Sequence, residues 1–193
     1  MADTAIAGIQ FTAQTTGTAV KTGKSVWDSL IPDFRKPLQE GQRFLGYKVT
    51  SGFGKRKSPC PGCSTFHRGT DLATPKGTAL RVPAPRDQTA TIRCWRDGKG
   101  GGLVADIKSD AFPGYTFQAL HLLRCSSGQK RGGEVFARTG DSGLGTGPHV
   151  DLRQIKGKKY EPIAKGIVFW MFQGKPPKGG AHWGDWQEGM NDG

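Results

Sequence analysis

Two short stretches carry side chains that could do chemistry together. In 66–79, FHRGTDLATPKGTA, His67 and Asp71 stand four residues apart at the start of an extended run punctuated by Gly and Pro. In 146–153, TGPHVDLR, His149 and Asp151 stand two apart in a run that reads as a strand. Side chains at i and i+2 of a strand share a face, so His149 and Asp151 can look into one site. Imidazole nitrogen and carboxylate oxygen are ligands that zinc accepts, and a catalytic zinc commonly takes three protein ligands while keeping a position open for water. The chemistry these side chains suggest is metal-activated hydrolysis.

The elements that must position them read as short strands. From Arg43 onward the sequence runs RFLGYKVT, TATIRCW, GLVADIK, YTFQALHLL, EVFART, HVDLRQ and GIVFWMF, several near alternation and separated by Gly, Asp or Ser clusters. That spacing predicts an antiparallel sheet. The 30 Gly and 12 Pro, without a long amphipathic period, also predict a mostly β fold. RDGKGGG at 96–102 reads as a hairpin connection that could double as the lip of a groove. A chain of 193 residues suits one catalytic domain with extensions. The expected division is an adaptor-like arm over 1–42, a catalytic domain over 43–164 and an extension over 165–193. A short helix is expected around SVWDSLI in the arm.

Charge and motifs narrow the partners. A formal charge of +12 favours anionic partners without choosing among nucleic acid, cell-wall polymer and membrane surface. No basic-aromatic ladder or nucleic-acid motif accompanies it, so no specific nucleic acid is expected. TGKS at 22–25 lacks the first Gly of a phosphate loop, since that position is Thr18. Membrane insertion is not expected either, because GIVFWMF is seven residues long and a span needs roughly 20. MADTAIAGIQFTAQTTG lacks the basic and apolar regions of a secretory signal. His182, in GGAHWGDW, reads as a surface or tail residue. Cys60, Cys63, Cys94 and Cys125 allow three pairings; free buried thiols, disulfides, or half of a second metal site at CPGC all fit.

Taken in order, HRGTD, LHLL at 120–123 and GPHVD at 147–151 resemble the signature of the lysostaphin and LytM-type peptidoglycan zinc metallopeptidases: HxxxD, a His followed by Leu, then HxH. VTSGFGKRKSP at 49–59 and GTDLATPKGTALRVPA are similar to the same family, and the likeness runs over about 49–162. The resemblance implies an antiparallel β-sheet groove, a zinc ion on His67, Asp71 and Asp151, and catalytic roles for His121 and His149. It implies peptidoglycan as partner and hydrolysis of its peptide cross-links as activity. With no signal segment expected, the reading extends to a phage enzyme carried in the tail or baseplate of a virion among other tail proteins. A free lysis enzyme held in the host cytoplasm and a non-catalytic wall-binding or structural module are the alternatives.

Asp151 stands where the family has its third ligand, a His. One imidazole and two carboxylates leave a zinc ion without net positive charge from its ligand shell, which makes it less able to acidify water. Changing Asp151 to His is therefore expected to make the zinc more electrophilic, provided the site accepts the longer side chain.

Overall fold

The computed structural model describes Phe34 and residues 36–177. Most of the expected arm, the TGKS stretch, the SVWDSLI helix candidate and His182 lie outside the described residues. In chain order the elements are β1 (Arg43–Phe44), β2 (Tyr47–Ser51), β3 (Gly54–Lys55), β4 (Phe66–His67), β5 (Thr70–Ala73), β6 (Ala79–Arg81), β7 (Thr89–Asp97), β8 (Gly102–Ser109), β9 (Tyr115–Leu120), β10 (Leu122–Cys125), β11 (Gly128–Arg131), β12 (Val135–Thr139), β13 (Val150–Lys156) and β14 (Lys159–Glu161), then helix α1 (Lys165–Gln173). The main sheet runs β1-β2-β5-β13-β9-β8-β7-β11, with β14 also paired to β13. A three-stranded sheet, β10-β12-β6, and the β3-β4 pair complete it.

Alternation along the strands gives the main sheet two unlike faces. Val150 and Leu152 of β13, Phe117 and Ala119 of β9, and Ala105 and Ile107 of β8 are buried in one apolar core. Their neighbours Asp151 and Arg153, Gln118 and Leu120, and Val104 point the other way and line a cleft. Leu80, Leu122 and Phe136 of the smaller sheet join the same core. Fully burying each such side chain is worth about 1.5–3 kcal/mol.

GIVFWMF, expected as a strand, forms most of α1 instead. A short run that is apolar on every side carries no period to distinguish strand from buried helix. Here Ile167, Val168, Trp170 and Met171 all become buried. The helix has no side-chain cap, but the incoming segment satisfies its first amides: Lys165 N–H donates to Lys36 O and Gly166 N–H to Phe34 O. Gly174, at φ 68°, ends it in the left-handed conformation and donates to Trp170 O at 2.7 Å. Residues just after 164, expected as an extension, thus supply a helix to the core. Among the described residues, no helix is long and apolar enough to cross a membrane.

YTFQALHLL is likewise not one strand. His121, at φ 62°, breaks it, so that β9 stays in the main sheet while β10 pairs in the smaller one. RDGKGGG is the predicted hairpin, with Asp97 paired to Gly102, and Lys99, Gly100 and Gly101 also line the cleft.

The cysteines form two disulfides, Cys60–Cys63 and Cys94–Cys125, so neither free thiols nor a second metal site describes them. Cys94–Cys125 joins β7 to the end of β10 across a separation of 31 residues. By the entropy of closing such a loop, replacing both with Ala should cost about 3–4 kcal/mol. Urea unfolding of the two proteins measures this, and equal midpoints would refute it.

Candidate functional site

Strand register brings the predicted residues together. Asp151 of β13 sits directly opposite Asp71 of β5 on one side and Leu120 of β9 on the other. His67, at the end of β4, reaches the same point across the two-residue link to β5. His121 follows Leu120, and His149 immediately precedes β13 in a bridge to Gly140. All five line one cleft of about 770 Å³. Strand pairing therefore accomplishes what spacing along the sequence only suggested.

His67, Asp71 and Asp151 are 3%, 8% and 2% exposed, and their inward atoms converge. His67 Nε2 lies 3.2 Å from Asp71 Oδ1 and 3.5 Å from Asp151 Oδ1. These three atoms are buried without a hydrogen-bond partner. The opposite ring nitrogen, Nδ1, donates to Gly52 O at 2.9 Å, so the lone pair of the neutral ring sits on Nε2 and faces two carboxylate oxygens. A neutral ring there would be electrostatically unfavourable without a cation between the three atoms. The ligand atoms fall within 4.8 Å of one another, and one nitrogen with two oxygens is a donor set that zinc accepts. The residues present fit a divalent metal.

The outer carboxylate oxygens are already satisfied. Arg153 donates to Asp151 Oδ2 from Nε at 2.9 Å and from Nη2 at 2.7 Å. Arg56 Nη1 donates to Asp71 Oδ2 at 3.2 Å and to Ser51 Oγ at 2.6 Å. Two guanidiniums thus offset the two carboxylates. The deficit of charge expected from the ligand types alone disappears once these neighbours are counted. Burial would raise the Asp151 pKa, but Arg153 and His67 outweigh it and hold the carboxyl well below its usual range.

Sequence reasoning missed Arg56, Arg153, Gly69 and Ser142. Arg153 had a readable signal, since it lies two residues from Asp151 on the same strand face. Gly69 is needed for close approach: a Cβ there would overlap Asp151 Oδ1 and crowd Arg153 Cγ at 2.7 Å. Gly145 plays the same part for His149, whose Cε1 would lie 2.7 Å from an added Cβ.

His121 and His149 form a second group, with ring centroids 4.3 Å apart. His121 Nδ1 donates to Ser142 O at 2.8 Å and His149 Nδ1 to Gly147 O at 2.7 Å. In the neutral form of each ring the free lone pair is therefore on Nε2. Burial lowers the His121 pKa, against the hydrogen bond to Ser142 that raises it. His121 is consequently neutral near pH 7 and able to accept a proton.

Without metal, a proton substitutes at His67. Burial alone would lower its pKa, but the facing carboxylates of Asp151 and Asp71 outweigh burial and raise it from 6.5 to about 9. Because the folded pKa is raised, the stability this imidazolium contributes is full below pH 6.5 and is lost as pH climbs through 9. The chelated protein should therefore melt at progressively lower temperature from pH 6.5 to 9, relative to zinc-loaded protein, in which the metal displaces the proton. Thermal unfolding with and without chelator measures the difference. Parallel pH curves would contradict it.

No family model matches the chain. Over 118 residues it is 30% identical to the DD-carboxypeptidase/endopeptidase Mpg of Neisseria meningitidis, covering 61% of this chain and 26% of that protein. Over 145 residues it is 33% identical to the peptidoglycan DD-endopeptidase ShyB of Vibrio cholerae, covering 69% and 32%. The chain thus spans about a quarter to a third of the length of these curated relatives. Among solved structures, the catalytic domain of lysostaphin from Staphylococcus simulans superposes with a TM-score of 0.50 at 17% identity, covering 60% of this chain and 88% of that one. The fold is the mostly antiparallel β fold of the lysostaphin-type peptidases. Both curated relatives are peptidases by name, and ShyB is named as an endopeptidase of peptidoglycan.

Proposed function

We propose that this chain is a zinc metalloendopeptidase that hydrolyses peptide cross-links of bacterial peptidoglycan. The observation that carries this reading is the convergence of three buried, unpartnered ligand atoms beside two paired histidines in one cleft. His67, Asp71 and Asp151 would hold the metal. When bound, zinc supplies Lewis acidity toward an amide carbonyl.

The chain's own residues provide the proton chemistry. Nε2 of His149 and of His121 each present a lone pair, with the ring held by a backbone carbonyl on the other side. One accepts the proton of the attacking water and the pair returns it to the leaving amine. The rings are 4.3 Å apart, close enough to serve the same reacting centre. Lys57, Arg68 and Lys99 line the cleft and suit a peptide that bears carboxylates.

Release of free amines from purified peptidoglycan, with and without chelator and after zinc is restored, tests the activity. Amine release that follows zinc occupancy is expected. A fully zinc-loaded protein inert on walls of several compositions would refute it. The further proposal of a place in a phage tail or baseplate rests on the Thr-, Ala- and Gly-rich arm read as an adaptor. Mass spectrometry of purified particles decides it, and absence from them would count against it.

A further inference from the structure

We infer that Asp151 and Arg153 act as one charge-neutral ligand unit, through which a carboxylate serves where an imidazole would otherwise be required. The inference rests on the metal reading above and concerns how this chain tolerates its unusual third ligand. The two carboxylates of the site are not equivalent. Asp71 receives one donor at 3.2 Å from an arginine shared with Ser51, whereas Asp151 receives both Nε and Nη2 of Arg153 on a single oxygen. Oδ2 is thereby committed to the guanidinium, and Oδ1 is left unpartnered and aimed at His67 Nε2. The arginine stands two residues further along β13, on the same strand face, and its guanidinium lies 5.9 Å from the Tyr160 ring. Gly69 leaves the room both side chains occupy. Carboxylate and guanidinium sum to zero charge, as a neutral imidazole does.

This pairing changes what Asp151→His should do. The substitution alone removes the partner of a mostly buried guanidinium and leaves that cation beside a neutral ring and the metal. Arg153 then opposes metal binding, so the imidazole serves well only if the arginine is removed too.

The test is zinc affinity of the full chain, measured by competition with a chromophoric chelator, together with melting temperature of the chelated protein. Asp151→His is expected to weaken zinc binding by about 10–100-fold. Adding Arg153→Gln in that background should recover about tenfold or more, and should also restore melting temperature lost in the single variant. Arg153→Lys in the same background keeps the charge and should recover neither. Asp151→His binding zinc as tightly as the native chain, or Lys rescuing as well as Gln, would overturn the inference while leaving the metal site standing. Failure of the native chain itself to bind zinc would overturn both.

Discussion

Replacing His67 with Ala should abolish both metal binding and turnover. The substitution removes the only nitrogen among three converging ligand atoms and leaves Asp71 Oδ1 and Asp151 Oδ1 facing each other, both buried. Two carboxylates cannot hold a zinc ion tightly at a three-ligand site, and an affinity loss of about a thousandfold or more is expected from losing one of three ligands. The metal-free protein should suffer as well. His67 is the charged partner that Asp71 Oδ1 and Asp151 Oδ1 share in the absence of metal, and although Arg56 and Arg153 still hold the outer oxygens, the melting temperature of the metal-free protein should fall. Elemental analysis, amine release and thermal unfolding of one preparation check all three effects. A His67→Ala protein that retains native zinc content would show that the ligand set is wrongly assigned.

His149→Ala should behave differently. His149 is held by Gly147 O through Nδ1 and lies against His121, and it is not a member of the converging His67, Asp71 and Asp151 group. Its loss should leave zinc content near native and lower turnover by about 10²–10⁴-fold, the usual contribution of a positioned acid or base. The melting temperature should change little, because the ring is held only at the cleft wall. The contrast is the informative part: His67 controls metal and turnover together, His149 turnover alone. Equal metal loss in the two variants would mean that His149 belongs to the ligand set.

That His67, Asp71, His149 and Asp151 could share one site was legible from their types and spacing, whereas His121 entered only through the resemblance to the lysostaphin and LytM-type family. His and Asp four apart, then His and Asp two apart, are unusual enough in a strand-rich chain to point to one site. Arg153 was legible as a partner of Asp151, two residues along the same strand face, but was overlooked; Arg56 was not legible, although the charge of both bears on how electrophilic the site can be. Arg56 lies 15 residues from Asp71, and only the fold brings the two together. The break at His121 was hidden for a related reason. YTFQALHLL reads as continuous strand, and only the switch from main to smaller sheet requires a left-handed residue there. GIVFWMF was misread because an all-apolar run has no face, and its helical state is settled by the surrounding core. Cys94 and Cys125 sit in strands far apart in sequence, and adjacency of β7 to the end of β10 is a property of the fold.

The most direct measurement is zinc stoichiometry of the native chain after dialysis against excess zinc at neutral pH and removal of loosely held metal. One zinc per chain is expected, and a loss of that ion in His67→Ala and in Asp71→Ala alike. A native protein that takes up no zinc, or that retains a full equivalent after Asp71 is removed, would contradict it.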